Sequence, residues 1–250
     1  MQHEGRHALI TGGGTGIGLA IARALAAEGA EVTITGRRME VLEAARSPRI
    51  HPLRMDVSEE ASVVEGIASA VEARGPVQIC VPNAGIAEPS AIHKTDMGLW
   101  RKMMGINLDG AFLTIRECLG SMRQTDWGRV IAVSSIAGLR GLKGAPVYTA
   151  SKHGLVGLIR GLSADYLGKP YTFNALCPSY VDTEIVPQNV ARIMERTGMS
   201  EADARATMEG VNPHGRLILP EEVADAALWL CGPNSGSIDG QAIQISGGEM

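Results

Sequence analysis

Cysteine is scarce and dispersed in this sequence. Cys80, Cys118, Cys177 and Cys231 stand far apart, with no CxxC and no His/Cys spacing suited to a metal. That usage fits a reducing compartment and buried thiols, so neither a disulfide nor a bound metal is expected. An excess of one charge is lacking too: 23 Lys and Arg against 27 Asp and Glu leave a net charge of −4, with no basic stripe. Nothing here directs the chain to nucleic acid or to an anionic membrane surface. No apolar run approaches membrane-spanning length, and the opening Met1-Gln2-His3-Glu4-Gly5-Arg6 carries no apolar signal region, so a cytoplasmic location is expected. Linkers, repeats and low-complexity segments are also missing, which predicts one domain over residues 1–250.

What is present is enough apolar material for one large core, 45% of 250 residues, arranged in alternating short and long segments. The pattern predicts strands near 7–11, 31–35, 51–55, 77–82, 129–134, 171–177 and 242–245. Helices are predicted near 16–28, 59–74, 96–124, 146–167 and 221–231, with a less regular helical region over 187–210. Strands alternating with helices imply an α/β fold whose parallel sheet is covered on both faces. Ligands of such open sheets lie beyond the carboxyl ends of the strands. There the glycine turn after residue 11, Arg37, Asp56, Asn83, Ser135 and Pro178 all follow predicted strands.

The first of these turns reads Thr11-Gly12-Gly13-Gly14-Thr15-Gly16-Ile17-Gly18, between an apolar strand and an alanine-rich helix. Backbone N–H groups and a helix N-terminus in that order can hold a phosphate, although the spacing is not GxGxxG and implies a different loop. A second pattern is Tyr148-Thr149-Ala150-Ser151-Lys152, which puts a phenol and an ammonium on one helical face. Moving a tyrosine pKa from about 10 to about 7 requires roughly 4 kcal/mol. One cation about 4 Å away at an effective dielectric near 20 supplies about that much. Taken alone, two unrelated surface residues would show the same spacing.

Together, TGxxxGIG at 11–18, Asn83-Ala84-Gly85, Asn107, Ser134-Ser135, YxxxK at 148–152 and Pro178 followed by Thr183 resemble the short-chain dehydrogenases and reductases, in order and spacing, over essentially the whole chain. The resemblance implies a Rossmann-like doubly wound parallel sheet of about seven strands. It further implies an oxidoreductase that interconverts a ketone and a secondary alcohol. Tyr148 would pass the proton, Ser135, thirteen residues before it, would bind the reacting oxygen, and Lys152 would lower the tyrosine pKa and bond the nicotinamide ribose. Asn107 would hold a water leading from Lys152 to solvent. Ser134 is expected to be structural. The cofactor would rest on Gly12, Gly14, Thr15, Gly16, Ile17 and Gly18, with Asp56 and Val57 at the adenine, and Asn83, Ala84 and Gly85 at the ribose. Tyr148, Lys152, Pro178, Val181 and Thr183 would surround the nicotinamide.

After the second strand, Gly36 stands where an NAD enzyme usually carries an acid, and Arg37 next to it suits a 2′-phosphate. NADP(H) is therefore expected over NAD(H), although Gly14 and Thr15 fill loop places where a second basic residue often sits. Ser179 replaces a usual glycine and predicts a slightly different loop path, and Val81-Pro82 precedes Asn83 where the family commonly has asparagine. A substrate lid is expected over about 184–216, with a helix start at Ser200, and family resemblance suggests a homotetramer built on 96–124 and 146–167. Arg140, Lys143, His93, Lys94, Arg192 and Arg196 could face a carboxylate or a coenzyme A phosphate, or simply be solvated. An oxoacyl thioester, a keto acid, a keto sugar and a cyclic ketone all stay open as the small-molecule substrate. The alternatives are an NAD-dependent secondary-alcohol or 3-hydroxy acid dehydrogenase and, more remotely, a non-enzymatic dinucleotide-binding redox sensor.

Overall fold

A computed structural model describes residues 1–184 and 186–248. Seven parallel strands form one sheet: β1 (His7–Thr11), β2 (Glu31–Gly36), β3 (Ile50–Arg54), β4 (Val77–Val81), β5 (Gly128–Val133), β6 (Tyr171–Pro178) and β7 (Ala242–Ile245). Their order across the sheet is β3-β2-β1-β4-β5-β6-β7. The chain winds outward from β1 to β3, returns, and resumes on the other side with β4, so the switch point lies between β1 and β4.

The helices are α1 (Gly16–Ala27), α2 (Met39–Ala44), α3 (Glu60–Arg74), α4 (Met97–Met104), α5 (Gly110–Met122), α6 (Pro146–Asp165), α7 (Val186–Thr197), α8 (Glu201–Glu209) and α9 (Pro220–Cys231). Strand alternation divides the core. In β1, Leu9 packs with residues of α3, α5 and α6, whereas Ala8 and Ile10 pack with α1 and α9 on the opposite face. All five β1 residues are buried, as a central strand of a doubly covered sheet requires. Helix α1 buries Gly18, Ile21, Ala22 and Leu25, the i, i+3, i+4, i+7 stripe that seats it on the sheet.

Three features depart from the expectation. The short helix α2 follows β2, where none was expected. The helix expected over 96–124 is interrupted by a π-helical turn at Gly105–Asp109, which separates α4 from α5. The region expected to be less regular holds two helices, α7 and α8, and Ser200 does cap α8 by accepting from the Asp203 N–H. Buried Val186, Val190, Ala204, Met208 and Leu217 form a small apolar cluster there, apart from the two main ones.

Candidate functional site

The glycine turn is built by β1 and held by β4. Thr11 Oγ1 accepts from the backbone N–H groups of Asn83 and Ala84, both at 3.0 Å. In return Asn83 Nδ2 donates to the carbonyls of Thr11 (2.9 Å) and Gly12 (3.2 Å). Asn83 thus works chiefly as the tie between the turn and the switch-point strand. Gly12 (φ 64°) and Gly16 (φ 51°) take left-handed conformations that a side chain would strain. A Cβ on Gly18 would lie 2.5 Å from the Gly12 carbonyl oxygen. These glycines leave a bare backbone cradle at the start of α1, whose cap residue Thr15 makes no side-chain capping bond and whose first turn carries no acid. An uncapped, positively polarised helix end fits the phosphates of a dinucleotide.

From this cradle an open cleft of about 210 Å³ runs over the carboxyl edge of the sheet. Of the residues assigned to the cofactor, Gly12, Gly14, Thr15, Arg37, Asp56, Val57, Ala84 and Gly85 line it. Gly16, Ile17 and Gly18 stand behind it in α1, and Thr183 abuts the cradle, its Cγ2 3.0 Å from where a Gly16 Cβ would be. Val41 and Leu42 of α2 and Ile106 of the π turn also line the cleft. Val41 and Leu42 were not anticipated because α2 was not, and Ile106 because the helix expected over 96–124 was read without its π turn.

At the outer end of the cleft, Arg37 is exposed and the Asp56 carboxylate is half-buried. Burial acts to raise the Asp56 pKa, but two hydrogen bonds from Ser58 and the charge of Arg37 outweigh it and hold the pKa below its ordinary value. Thr35 Oγ1, in the same wall, is buried without a partner, which suits a polar ligand atom beside it.

At the inner end, Ser135 follows β5 and accepts from the Ala137 N–H at 3.1 Å. The Ser135 side chain stands beside the Tyr148 phenol and acts to lower its pKa. Ser134 Oγ instead donates to the Lys152 carbonyl at 3.2 Å, a structural bond within the helix seat. Lys152 is buried, and its Nζ donates to the Val133 carbonyl at 2.9 Å. Burial pushes its pKa down from 10.5 to about 8, with Cys177 opposing weakly. Burial also raises the Tyr148 pKa, against the influence of the Ser135 side chain, and Tyr180 and Cys177 push it further up. The expected lowering of the phenol pKa is therefore absent from this arrangement, because desolvation outweighs an ammonium whose bond goes to a carbonyl.

Asn107 occupies the π turn and is buried. Its Oδ1 accepts from the Ile86 N–H (2.8 Å), and its Nδ2 donates to the Ile86 carbonyl (2.9 Å) and to Ser151 Oγ (3.0 Å). The side-chain amide is thus committed to protein partners. Pro178 ends β6, and Val181 forms an isolated bridge with Ile218. Ser179 keeps an ordinary backbone, since every positive φ among the described residues belongs to a glycine, and its N–H donates to the Ile245 carbonyl at 2.9 Å. Pro82 supplies no donor, yet its carbonyl accepts from Val133 at 2.9 Å, so β4 stays tied to β5.

The cleft wall at Gly85 comes close to the buried ammonium, with Lys152 Nζ 3.6 Å from where a Gly85 Cβ would stand, and a dinucleotide cradle beside a phenol and an ammonium on one helical face is an arrangement of nicotinamide-dependent oxidoreductases. The family model for short chain dehydrogenase matches residues 6–193, and this chain belongs to that family. It is 35% identical over 246 residues to an acetoacetyl-CoA reductase of Rhizobium meliloti, covering 98% of each chain. It is 33% identical over 252 residues to a D-beta-hydroxybutyrate dehydrogenase of Cupriavidus necator, again covering 98% of each. A crystal structure of an actinorhodin polyketide ketoreductase variant with NADPH superposes with a TM-score of 0.94 at 31% identity, covering 97% of this chain and 96% of the other. The protein is an oxidoreductase of ketone and hydroxyl substrates that uses a nicotinamide dinucleotide. No helix among the described residues is long and apolar enough to cross a membrane.

Proposed function

We propose that this enzyme is an NADP(H)-preferring reductase of small 3-oxoacyl compounds with Tyr148 as proton donor. The observation that carries the reading is Lys152, buried one helical turn beyond Tyr148 with its Nζ 3.6 Å from where a Cβ on the cleft-lining Gly85 would stand, and Ser135 acting on the phenol. When bound, the nicotinamide supplies the hydride. Ser135 holds the substrate carbonyl oxygen against the Tyr148 hydroxyl and stabilises negative charge as it develops there. Tyr148 then gives its proton to that oxygen. A phenol whose pKa is raised stays protonated at neutral pH, the form that reduction requires. Lys152, largely charged below about pH 8, electrostatically favours the phenolate that the transfer leaves behind.

Toward the cofactor, Gly12, Gly14 and Thr15 hold the phosphates, Asp56 and Val57 the adenine, and Pro178, Val181 and Thr183 the nicotinamide. Arg37 beside Gly36, where no carboxylate stands, favours a 2′-phosphate. Residues 184–216 act as the substrate lid on a single domain of 1–250, and four such chains assemble in the cytoplasm through α4, α5 and α6. The names of the relatives in Rhizobium meliloti and Cupriavidus necator both carry a 3-oxo or 3-hydroxy acyl compound, which supports that substrate class. The second of them also favours the alternative, an NAD-dependent 3-hydroxy acid dehydrogenase.

Equilibrium affinities for NADPH and NADH, measured side by side at one salt concentration, separate the two. A preference for NADPH of about tenfold, about 1.4 kcal/mol, supports the reductase, and a preference for NADH refutes it. Turnover of acetoacetyl-CoA that is lost in Tyr148→Phe supports the acid role. Full turnover in that variant removes the role, and dinucleotide binding without turnover by the wild type leaves the sensor.

A further inference from the structure

A continuous hydrogen-bonded path joins the cofactor cleft to the proton donor through a residue with no role in the chemistry described above. It begins at Ile86, which lines the cleft. The Asn107 amide pairs with both backbone groups of Ile86, at 2.8 and 2.9 Å. The remaining hydrogen of Asn107 Nδ2 goes to Ser151 Oγ at 3.0 Å, and Ser151 Oγ donates onward to the Tyr148 carbonyl at 2.8 Å. Asn107 and Ser151 are fully buried, so solvent does not substitute for these bonds. The π turn at Gly105–Asp109 carries Asn107 to this junction. Inserted residues of this kind turn side chains off the regular helical stripe and recur at functional sites.

We propose that Ser151 is a positioning residue: with Asn107 it clamps the first turn of α6 to the Gly85–Ile86 wall of the cleft and so fixes where the Tyr148 hydroxyl stands relative to the bound cofactor. The inference rests on Tyr148 being the proton donor. A serine bonding to the carbonyl three residues back normally bends or loosens a helix. Here the same hydroxyl also receives the Asn107 N–H, which sets its direction and makes the bend a fixed one. Ser151 touches neither substrate nor cofactor and acts only through Tyr148.

The test uses the enzyme as Ser151→Ala, Ser151→Cys, Asn107→Ala and Asn107→Ala/Ser151→Ala, with Tyr148→Phe beside them. Thermal unfolding and the NADPH dissociation constant, followed by cofactor fluorescence, report whether fold and cofactor site survive. The expected result for Ser151→Ala is unchanged unfolding within a few degrees and an NADPH affinity within about twofold. Its kcat should fall about tenfold with KM little changed, and hydride transfer from deuterated NADPH should show a larger isotope effect. Ser151→Cys, with a weaker donor in the same place, should recover part of the loss. The double variant should be no slower than Asn107→Ala alone, because the two residues act as one unit. Unchanged kcat in Ser151→Ala with Tyr148→Phe inactive overturns the clamp and leaves the proposed mechanism standing. So does a parallel loss of NADPH affinity and thermal stability that accounts for the whole effect. Full activity in Tyr148→Phe overturns the mechanism, and the role of Ser151 with it.

Discussion

The Nζ of Lys152 lies 5.9 Å from the centre of the Tyr148 ring, yet its hydrogen bond goes to the Val133 carbonyl at 2.9 Å. The two side chains share one face of α6, but the ammonium bonds to the end of β5 rather than to the phenol. Both are desolvated, and desolvation drives each toward its neutral form: the tyrosine pKa up, the lysine pKa down to about 8. A site arranged in this way trades stability for chemistry.

Lys152→Met should therefore unfold at a higher temperature than wild type at pH 7 while losing turnover. The ammonium pKa is about 8 in the folded protein against 10.5 for the free side chain, so the unfolded chain binds more protons between those values. Wild-type stability must then rise with pH across that window, whereas a methionine contributes no such dependence. Thermal unfolding at pH 7 and at pH 9.5 tests this, and an advantage for the variant that is equal at the two pH values contradicts it.

Gly18→Ala should abolish measurable NADPH binding and lower stability. Its Cβ would stand 2.5 Å from both the Gly12 carbonyl oxygen and Asn83 Nδ2, so the turn and its tie to β4 would have to move together. Overpacking of this kind typically costs about 1–3 kcal/mol. Titration calorimetry with NADPH, beside a melting curve, gives both readings; tight binding by the variant would show that the cradle tolerates the methyl group.

Arg37→Asp should weaken NADPH binding by at least about tenfold while changing NADH binding by less than about threefold. The substitution removes a cation at the outer end of the cleft and adds a carboxylate beside Asp56, whose low pKa the Arg37 charge helps to maintain. Equal losses for the two cofactors would mean that the residue supports the wall and does not discriminate between them.

Glu222→Gln should lower the melting temperature at neutral pH and matter less in acid. Glu222 accepts two bonds from Arg216, at 2.6 and 2.8 Å, and one from the Leu219 N–H at 2.8 Å, which caps α9. The Arg216 bonds, followed by the Leu219 bond, bring its pKa down from 4.5 to about 2. A depressed carboxylate stabilises the fold fully above about pH 4.5, and that contribution fades as pH falls toward 2. Both partners are more than a third exposed, so the expected cost at pH 7 is only about 1 kcal/mol. A gap between variant and wild type that stays constant from pH 7 to pH 3 would assign the effect to something other than the charge.

How far the sequence can be read depends on the range of the interaction concerned. All seven strands were legible within two residues because buried parallel strands are short apolar runs between turn residues. The family's motifs pointed to Ser135 rather than Ser134 as the partner of Tyr148, and in the structure Ser134 Oγ donates to the Lys152 carbonyl while Ser135 acts on the phenol. Helix α2 was missed because six residues with only Leu42 buried leave little periodic signal. The π turn was missed because one extra residue in a long helix shifts the apolar stripe without interrupting it, whereas the helical region expected over 187–210 was legible as such but not its division into α7 and α8, which rest on a small cluster of their own.

By itself the sequence determined the alternation of strands and helices, the glycine turn and the placing of a phenol and an ammonium on one helical face, since each depends only on residues near in the chain. Tertiary structure alone decided that Lys152 bonds to Val133, that Asn107 reaches Ile86 and Ser151, and that Tyr148 is raised rather than lowered in pKa. Those outcomes depend on which groups lose their water and which carbonyls come within reach, and both are settled only when distant segments pack.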